Sequence, residues 1–324
     1  MFLFLLAASL LFDFLNGFHD SSNIVATVIS SRALRPRAAL YMTAVAEFTA
    51  PFIFGVAVAT TVGADLINPA AINQEVVIAA VLSAILWNVL TWFYGIPSSS
   101  SHALLGGLLG AAVLAEGIAI VQLPGLLKIL IALFISPPLG LVMGYLIMHL
   151  VLFLFRNATP RINVLFKRMQ ILTSLFLALS HGTNDAQKTM GVITMGLVAA
   201  GYQETFHVPL WVIAASAGAI ALGTAFGGWR LIHTLGGRIY KIRPVHAFTS
   251  QAASAGVILG AALLGGPVST TQVVGSAIMG AGAAERISKV RWGVGQNMLV
   301  TWVVTIPVNA LVSTLIYTLL IQFV

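Results

Sequence analysis

The apolar and polar positions divide the chain into ten apolar segments, at about 2–30, 38–62, 75–94, 99–115, 126–155, 169–200, 208–228, 246–264, 270–284 and 293–322. Most are near or above the ~20 residues that a helix needs to cross a bilayer core. Segments 99–115 and 270–284 are shorter and follow Gly-Pro-Ser-rich breaks, which predicts broken or re-entrant elements. The first segment is too long: thirty helical residues reach ~45 Å against a hydrocarbon core of ~30 Å. It is predicted to be steeply tilted or broken, with Gly17 beside Asn16 as the natural break. Its middle reads "NGFHDSSN" (16–23), a polar run inside an apolar span.

The pattern also repeats. "NGFHDSSNIVATVI" resembles "SHGTNDAQKTMGVI" with Asp20 on Asp185, an offset of 165. "GIPSSSSHALLG" resembles "GGPVSTTQVVG" with Pro97 on Pro267, an offset of 170, and "FISPPLG" resembles "VVTIPVN" with Pro138 on Pro307, an offset of 169. Each half holds five segments, an odd number, so the second half enters the membrane from the opposite side. The predicted fold is an all-α integral membrane protein of two inverted-topology repeats, the plan of many secondary transporters. Residues 1–155 form the first repeat, 156–168 a cytoplasmic connecting loop and 169–324 the second.

Composition fits this reading. Of 324 residues, 59% are hydrophobic and 8% charged, where a soluble domain carries about 25% charged. The chain is therefore expected to be a multi-pass protein of the plasma membrane, surrounded by lipid. There are no cysteines, which excludes disulfides and thiolate metal sites. The net charge of +7 does not indicate nucleic acid, because fourteen of the sixteen Lys and Arg fall in four short loops, 32–37, 156–168, 230–243 and 286–291. With those loops cytoplasmic, every crossing is consistent, both termini are outside, and Asp65, Glu75 and Glu204 lie outside. A cleaved signal is disfavoured: a basic n-region is missing and Asp13 interrupts the apolar run.

The candidate chemistry lies in the doubled motifs. An ionisable group at membrane depth costs several kcal/mol unless partnered, and it marks an ion or substrate path. Asp20 is such a group, with Asn23 three residues on along the same face. The second copy supplies Asn184, Asp185, Gln187 and Lys188. Two such motifs entering from opposite sides are expected to meet near the midplane. "PSSSSH" (97–102) and "PVSTTQ" (267–272) each open a short helix, with Ser or Thr as caps. Helix starts present free N–H groups and a positive dipole end, which attract anions. Ser99, Ser100, Ser101, Ser269, Thr270 and Thr271 are thus candidate anion ligands. The carboxylates would repel an anion unless they held cations when it binds, which is the logic of cation-coupled anion symport. Glu47 is a second intramembrane acid, suited to the ion path or to a structural pairing.

These motifs resemble the inorganic phosphate transporter (PiT) family, particularly its bacterial low-affinity members, over essentially the whole chain. The resemblance implies a phosphate symporter of the plasma membrane, a homodimer, driven by H+ or Na+ without an organic cofactor. It implies Asn23, Asn184 and Gln187 beside the phosphate as well, and Asp20 and Asp185 as cation ligands. The family repeats Asn-Asp followed three residues later by Asn. Here His19 replaces the leading Asn of the first copy and Lys188 the trailing Asn of the second. Gln272 stands where the first copy has His102.

A Lys ammonium has donors only and cannot ligate sodium, and His19 titrates in the physiological range when unperturbed. Both departures point to H+ over Na+. If Lys188 does not pair with Asp185, it is expected to snorkel toward water. Arsenate, nearly isosteric with phosphate, and metal-complexed phosphate are further candidate cargoes. A cation exchanger on the same inverted plan is the main rival. A Ser101–His102 hydrolase is disfavoured, because adjacent helical residues do not face each other. Asp13, toward the outer end of segment one, is expected at the interface. His149 and His233 are expected in water, and Trp292 and Tyr240 as interface anchors. Gly106, Gly107 and Gly110 are expected to permit close helix packing.

Overall fold

The computed structural model describes residues 1–227 and 241–322. His233, Tyr240 and most of the third basic loop lie outside the described residues. The described helices are α1 (Phe2–Ser30), α2 (Pro36–Phe54), α3 (Ala57–Thr60), α4 (Gln74–Tyr94), α5 (Ser100–Glu116), α6 (Leu123–Leu154), α7 (Ile162–Ala199), α8 (Leu210–Phe226), α9 (Pro244–Leu263), α10 (Thr270–Glu285) and α11 (Trp292–Leu320). Their bounds follow the apolar segments closely. The exception is α7, which starts earlier and takes Lys167 and Arg168 of the connecting loop into its first turns.

Burial is inverted relative to a soluble protein. Leu3, Ile131 and Leu311 are exposed on the outside, while Asp20, Asp185 and Lys188 are buried in the middle. The helices pack as two related sets. α1 lies on α8 as α7 lies on α2, and α5 lies on α11 as α6 lies on α10. The pairs α4–α11 and α9–α6 repeat the relation. α1 and α7 run antiparallel: Leu5 closes over Gly196, and fifteen residues further along α1 Asp20 lies 3.9 Å from His181. The halves are thus inverted copies of each other. The basic loops gather at one end of the bundle. Ser31 bonds to Gln170, the Gln170 amide donates to the Pro244 carbonyl at 3.0 Å, and Arg243 and Lys289 both pair with Glu285.

The expected break in the first segment is absent. α1 is continuous through Gly17, and α7 is continuous over 38 residues. The polar run does not interrupt the helix: Asp20 and Asn23 find partners across the bundle, and Ser21 and Ser22 bond to carbonyls of their own helix. Gly17 has a different use: a Cβ there would fall 2.1 Å from the Ile220 carbonyl oxygen. The real break follows α2. Pro51 removes a helical donor, Gly55 takes φ +82°, and the chain turns by 77° into 57–65. The re-entrant expectation fits the tips before α5 and α10, where Ser98, Ser99 and Ser269 are buried. Close packing by glycine also holds. A Cβ on Gly106 or Gly110 would meet the carbonyls of Ile306 and Ala310, at 2.4 and 2.2 Å.

The α1–α8 crossing gives a direct test. A Cβ on Gly223 would sit 1.9 Å from the Phe14 carbonyl oxygen. Gly223→Val is expected to destabilise the protein by about 2–3 kcal/mol through overpacking, read as a lower melting temperature in detergent. Gly256→Ala, with open space around it, is expected to melt like the wild type. Equal melting of both variants would show that the crossing tolerates separation.

Candidate functional site

The two Ser/Thr-rich motifs form a matched pair of buried helix starts. The Ser99 hydroxyl accepts the His102 N–H at 3.2 Å, capping α5. Ser269 accepts the Gln272 N–H at 3.4 Å, capping α10. Extended residues before each cap bring the starts together. Ser101 Oγ donates to the Val268 carbonyl at 3.0 Å, and the Gln272 amide reaches the His102 ring at 3.4 Å. His102 and Gln272, which match in the sequence repeat, thus meet in space.

The carboxylates converge beside these starts. Thr270 Oγ1 lies 3.0 Å from Asp185 Oδ2 and 3.4 Å from Asp20 Oδ2. One hydroxyl proton serves only one of them at a time. Thr271 donates to Asp20 Oδ1 at 3.0 Å and accepts from the Asn23 amide at 2.9 Å. His19 Nδ1 lies 3.0 Å from Asp20 Oδ1. Lys188 pairs with Asp185, and its ammonium also donates to Ser101 Oγ at 2.5 Å and to the Val268 carbonyl at 3.0 Å. The alternative in which Lys188 snorkels to water is overturned: its three donors are spent inside the protein, where it is almost fully buried.

His181, which sequence reasoning did not single out, is the hub. Its Nδ1 lies 2.7 Å from Glu47 Oε1 and its Nε2 2.9 Å from Asp185 Oδ2. These distances are those of ion pairs, yet the N–H directions do not meet hydrogen-bond geometry. We therefore treat the contacts as charge contacts. Only an imidazolium offers an N–H at both nitrogens. The signal was present: His181 lies in a membrane span, one turn before Asp185, where the first copy has Asn16. Ligand atoms of Asp20, His181 and Asp185 lie within 4.8 Å of one another, a spacing that could hold a cation, although Lys188 already covers one side of Asp185.

Other candidates sit elsewhere. Gln187, expected beside the phosphate, spends its amide on the break after α2. It donates to the Gly55 carbonyl at 2.6 Å and accepts from the Val58 N–H at 2.7 Å. Asn184 braces the chain before α10, donating to the Gly266 carbonyl and accepting from the Val268 N–H, both at 3.3 Å. Asp13 is not interfacial: it is 0% exposed, because α7 and α8 cover that part of α1. Ser100 begins α5, buried.

Comparison with known proteins gives the family and the fold. The sequence pattern of the phosphate transporter family matches residues 16–163 and again 155–313. The chain is 45% identical to the "Probable low-affinity inorganic phosphate transporter" of Rhizobium meliloti (strain 1021), over 97% of this chain and 94% of that one. It is 43% identical to the protein of the same name in Bacillus subtilis (strain 168), over 96% and 95%. The solved structure of "The sodium-dependent phosphate transporter" has the same fold, with a TM-score of 0.90 at 23% identity over 100% of this chain and 99% of that one.

The buried ion pair is open to test. Lys188→Met leaves Asp185 with His181 as its remaining cation and is expected to cost about 3–5 kcal/mol. Adding Asp185→Asn should recover most of that loss, as measured by thermal unfolding in detergent. An equal loss in the single and double variants would show that charge pairing does not set the cost.

Proposed function

The chain belongs to the phosphate transporter family, and we propose that it imports inorganic phosphate by alternating-access symport with protons. The observation that carries this reading is the Lys188 ammonium, held between Asp185 and Ser101. It is a fixed cation at the junction of the carboxylates with the anion-attracting helix starts. A group with donors only does not ligate sodium, but it does attract phosphate.

The phosphate ligands are the two helix starts, Ser99–Ser101 and Ser269–Thr271, with Asn23 beside them. Their hydroxyls explain coupling. Thr270 and Thr271 donate to Asp185 and Asp20. When these hydroxyls turn to donate to phosphate, the carboxylates lose donors and face a new anion. Positive charge must enter with the substrate, and titratable groups close by (His19, His181 and the acids) allow it to be a proton. The basic loops are cytoplasmic in this scheme, which places the N-terminus outside. Arsenate and metal-complexed phosphate fit the same donors, and the family resemblance extends the proposal to a homodimer.

Thr270→Ala and Ser100→Ala are expected to raise the phosphate concentration for half-maximal uptake while expression and melting stay normal. Unchanged uptake kinetics in both would remove these helix starts from the substrate site. Asp20→Asn and Asp185→Asn are expected to abolish accumulation against a gradient; either variant still accumulating phosphate would refute an essential role for that residue. For the coupling ion, labelled-phosphate uptake into proteoliposomes is measured at clamped membrane potential. An inward proton gradient should drive it. A strict need for an inward sodium gradient, with no response to protons, would overturn proton coupling and leave phosphate import standing.

A further inference from the structure

The carboxylates of the core are not equally provided for. Asp185 has Lys188 and His181, Asp20 has His19 and His181, and Glu47 has His181. Asp13 is as deeply buried as these, yet it has no ion-pair partner among the described residues, and the donor beside it is the Thr189 hydroxyl. Both amide atoms of its neighbour Asn16 and the hydroxyl of Ser9 are buried without partners. Ser9, Asp13 and Asn16 are spaced i, i+4 and i+7, so they line one stripe of α1. The stripe continues four residues further to Asp20. Thr189 lies beside Asp13 on the antiparallel α7, whose own stripe runs through Asp185 to His181. The two stripes form a polar file between α1 and α7. Asp13 is seven residues, about 10 Å, from Asp20 along it, toward the end of the bundle opposite the basic loops.

We propose that Asp13 is the seat of the coupled proton. This inference rests on the proton-symport reading and gives the proton a residue. A carboxylate with no cation and a single hydroxyl beside it in a dry, low-dielectric place costs several kcal/mol, whereas the neutral acid does not. The acid form donates one O–H, and the free oxygens of Thr189 and Asn16 are suited to accept it. The charged groups that face Asp13 are Asp185 and His181 from α7 and Glu47 from α2; α8 brings no ionisable side chain. Phosphate entering beside Asp20 adds negative charge to the same file and tightens proton binding. Release of phosphate loosens it. In this scheme the other core acids stay ionised against their cations, and Asp13 alternates between neutral and charged.

The test uses purified protein in proteoliposomes, with inorganic phosphate as the probe and two assays. One is exchange of internal for external labelled phosphate, which needs no net proton movement. The other is accumulation driven by an inward proton gradient. Asp13→Asn is expected to retain exchange, to lose accumulation, and to lose the pH dependence of exchange seen in the wild type. Asp13→Glu, which restores a carboxyl, should recover some accumulation. Proton-driven accumulation by Asp13→Asn at the wild-type level overturns the proposal. So does loss of exchange together with accumulation in a variant that melts normally, because that pattern marks a role in the phosphate path. If neither variant folds, the wild type decides. A hydrophobic carbodiimide, which reacts with protonated buried carboxyls, should label Asp13 at low pH and not at high pH, and absence of label at every pH overturns the assignment. A wild type that ignores the proton gradient and answers only to sodium removes the proton reading itself. A responsive wild type with an equally responsive Asp13→Asn removes only the role of Asp13.

Discussion

Buried charge inside a lipid-facing bundle is the constraint on which the rest depends. Asp13, Asp20, Glu47 and Asp185 are all buried, and hydrocarbon offers nothing to solvate them. Each needs a partner from another part of the chain or must be neutral. That requirement explains why the polar run of α1 does not break the helix. Asp20 and Asn23 reach sideways to α7 and to the start of α10, while the backbone keeps its own hydrogen bonds. It also explains why the helix flanks can expose so many large apolar side chains. The polar chemistry has been collected along the contact of two antiparallel helices and the two short helix starts beside them.

The inverted repeat supplies the convergence and the sequence then breaks the symmetry. Thr270 stands between Asp20 and Asp185, and Gln272 meets His102, so both halves contribute to one site. Yet the cations are unevenly shared. Lys188 and His181 come from the second half and only His19 from the first, which also holds Asp13, a carboxylate no cation touches. A symmetric pair of sites would balance charge equally on both sides. Here one carboxylate carries a permanent counter-charge, and another is left to be balanced by something that enters and leaves.

Much of this was legible in the sequence, and the reasons are physical. Element positions followed from apolar run length, because a helix must span a fixed thickness. The repeat registers followed from Pro and Asp at near-constant offsets. The helix starts followed from Ser and Thr caps, and the three-residue spacing of Asp185 and Lys188 made their pairing one of two alternatives. Side-chain direction was less legible. Nothing in the order of residues shows that Gln187 points away from Asp185 toward Gly55, since both lie in one polar motif and differ by two positions on the helix. Segment length alone does not decide between a tilted and a broken α1, and Gly17 serves as the point where Ile220 comes close. His181 and Asp13 were missed or misplaced for a shared reason: their importance depends on which helix covers them, and that is tertiary information.

The position of Lys188 carries the argument from structure to coupling. A bound sodium ion and an ammonium group both neutralise a carboxylate, but only the ion can leave. Tethering the positive charge to α7 removes one exchangeable cation from the cycle while keeping the local field that attracts an anion. The charge that still has to move with phosphate must then be accommodated at a group without a permanent partner. Among the four core carboxylates, that condition singles out Asp13, at the far end of the polar file and joined to Asp20 by the same face of one helix. A separation of about 10 Å in a low-dielectric medium leaves the two sites electrostatically linked without direct contact. Phosphate and proton can therefore sense each other while occupying different places.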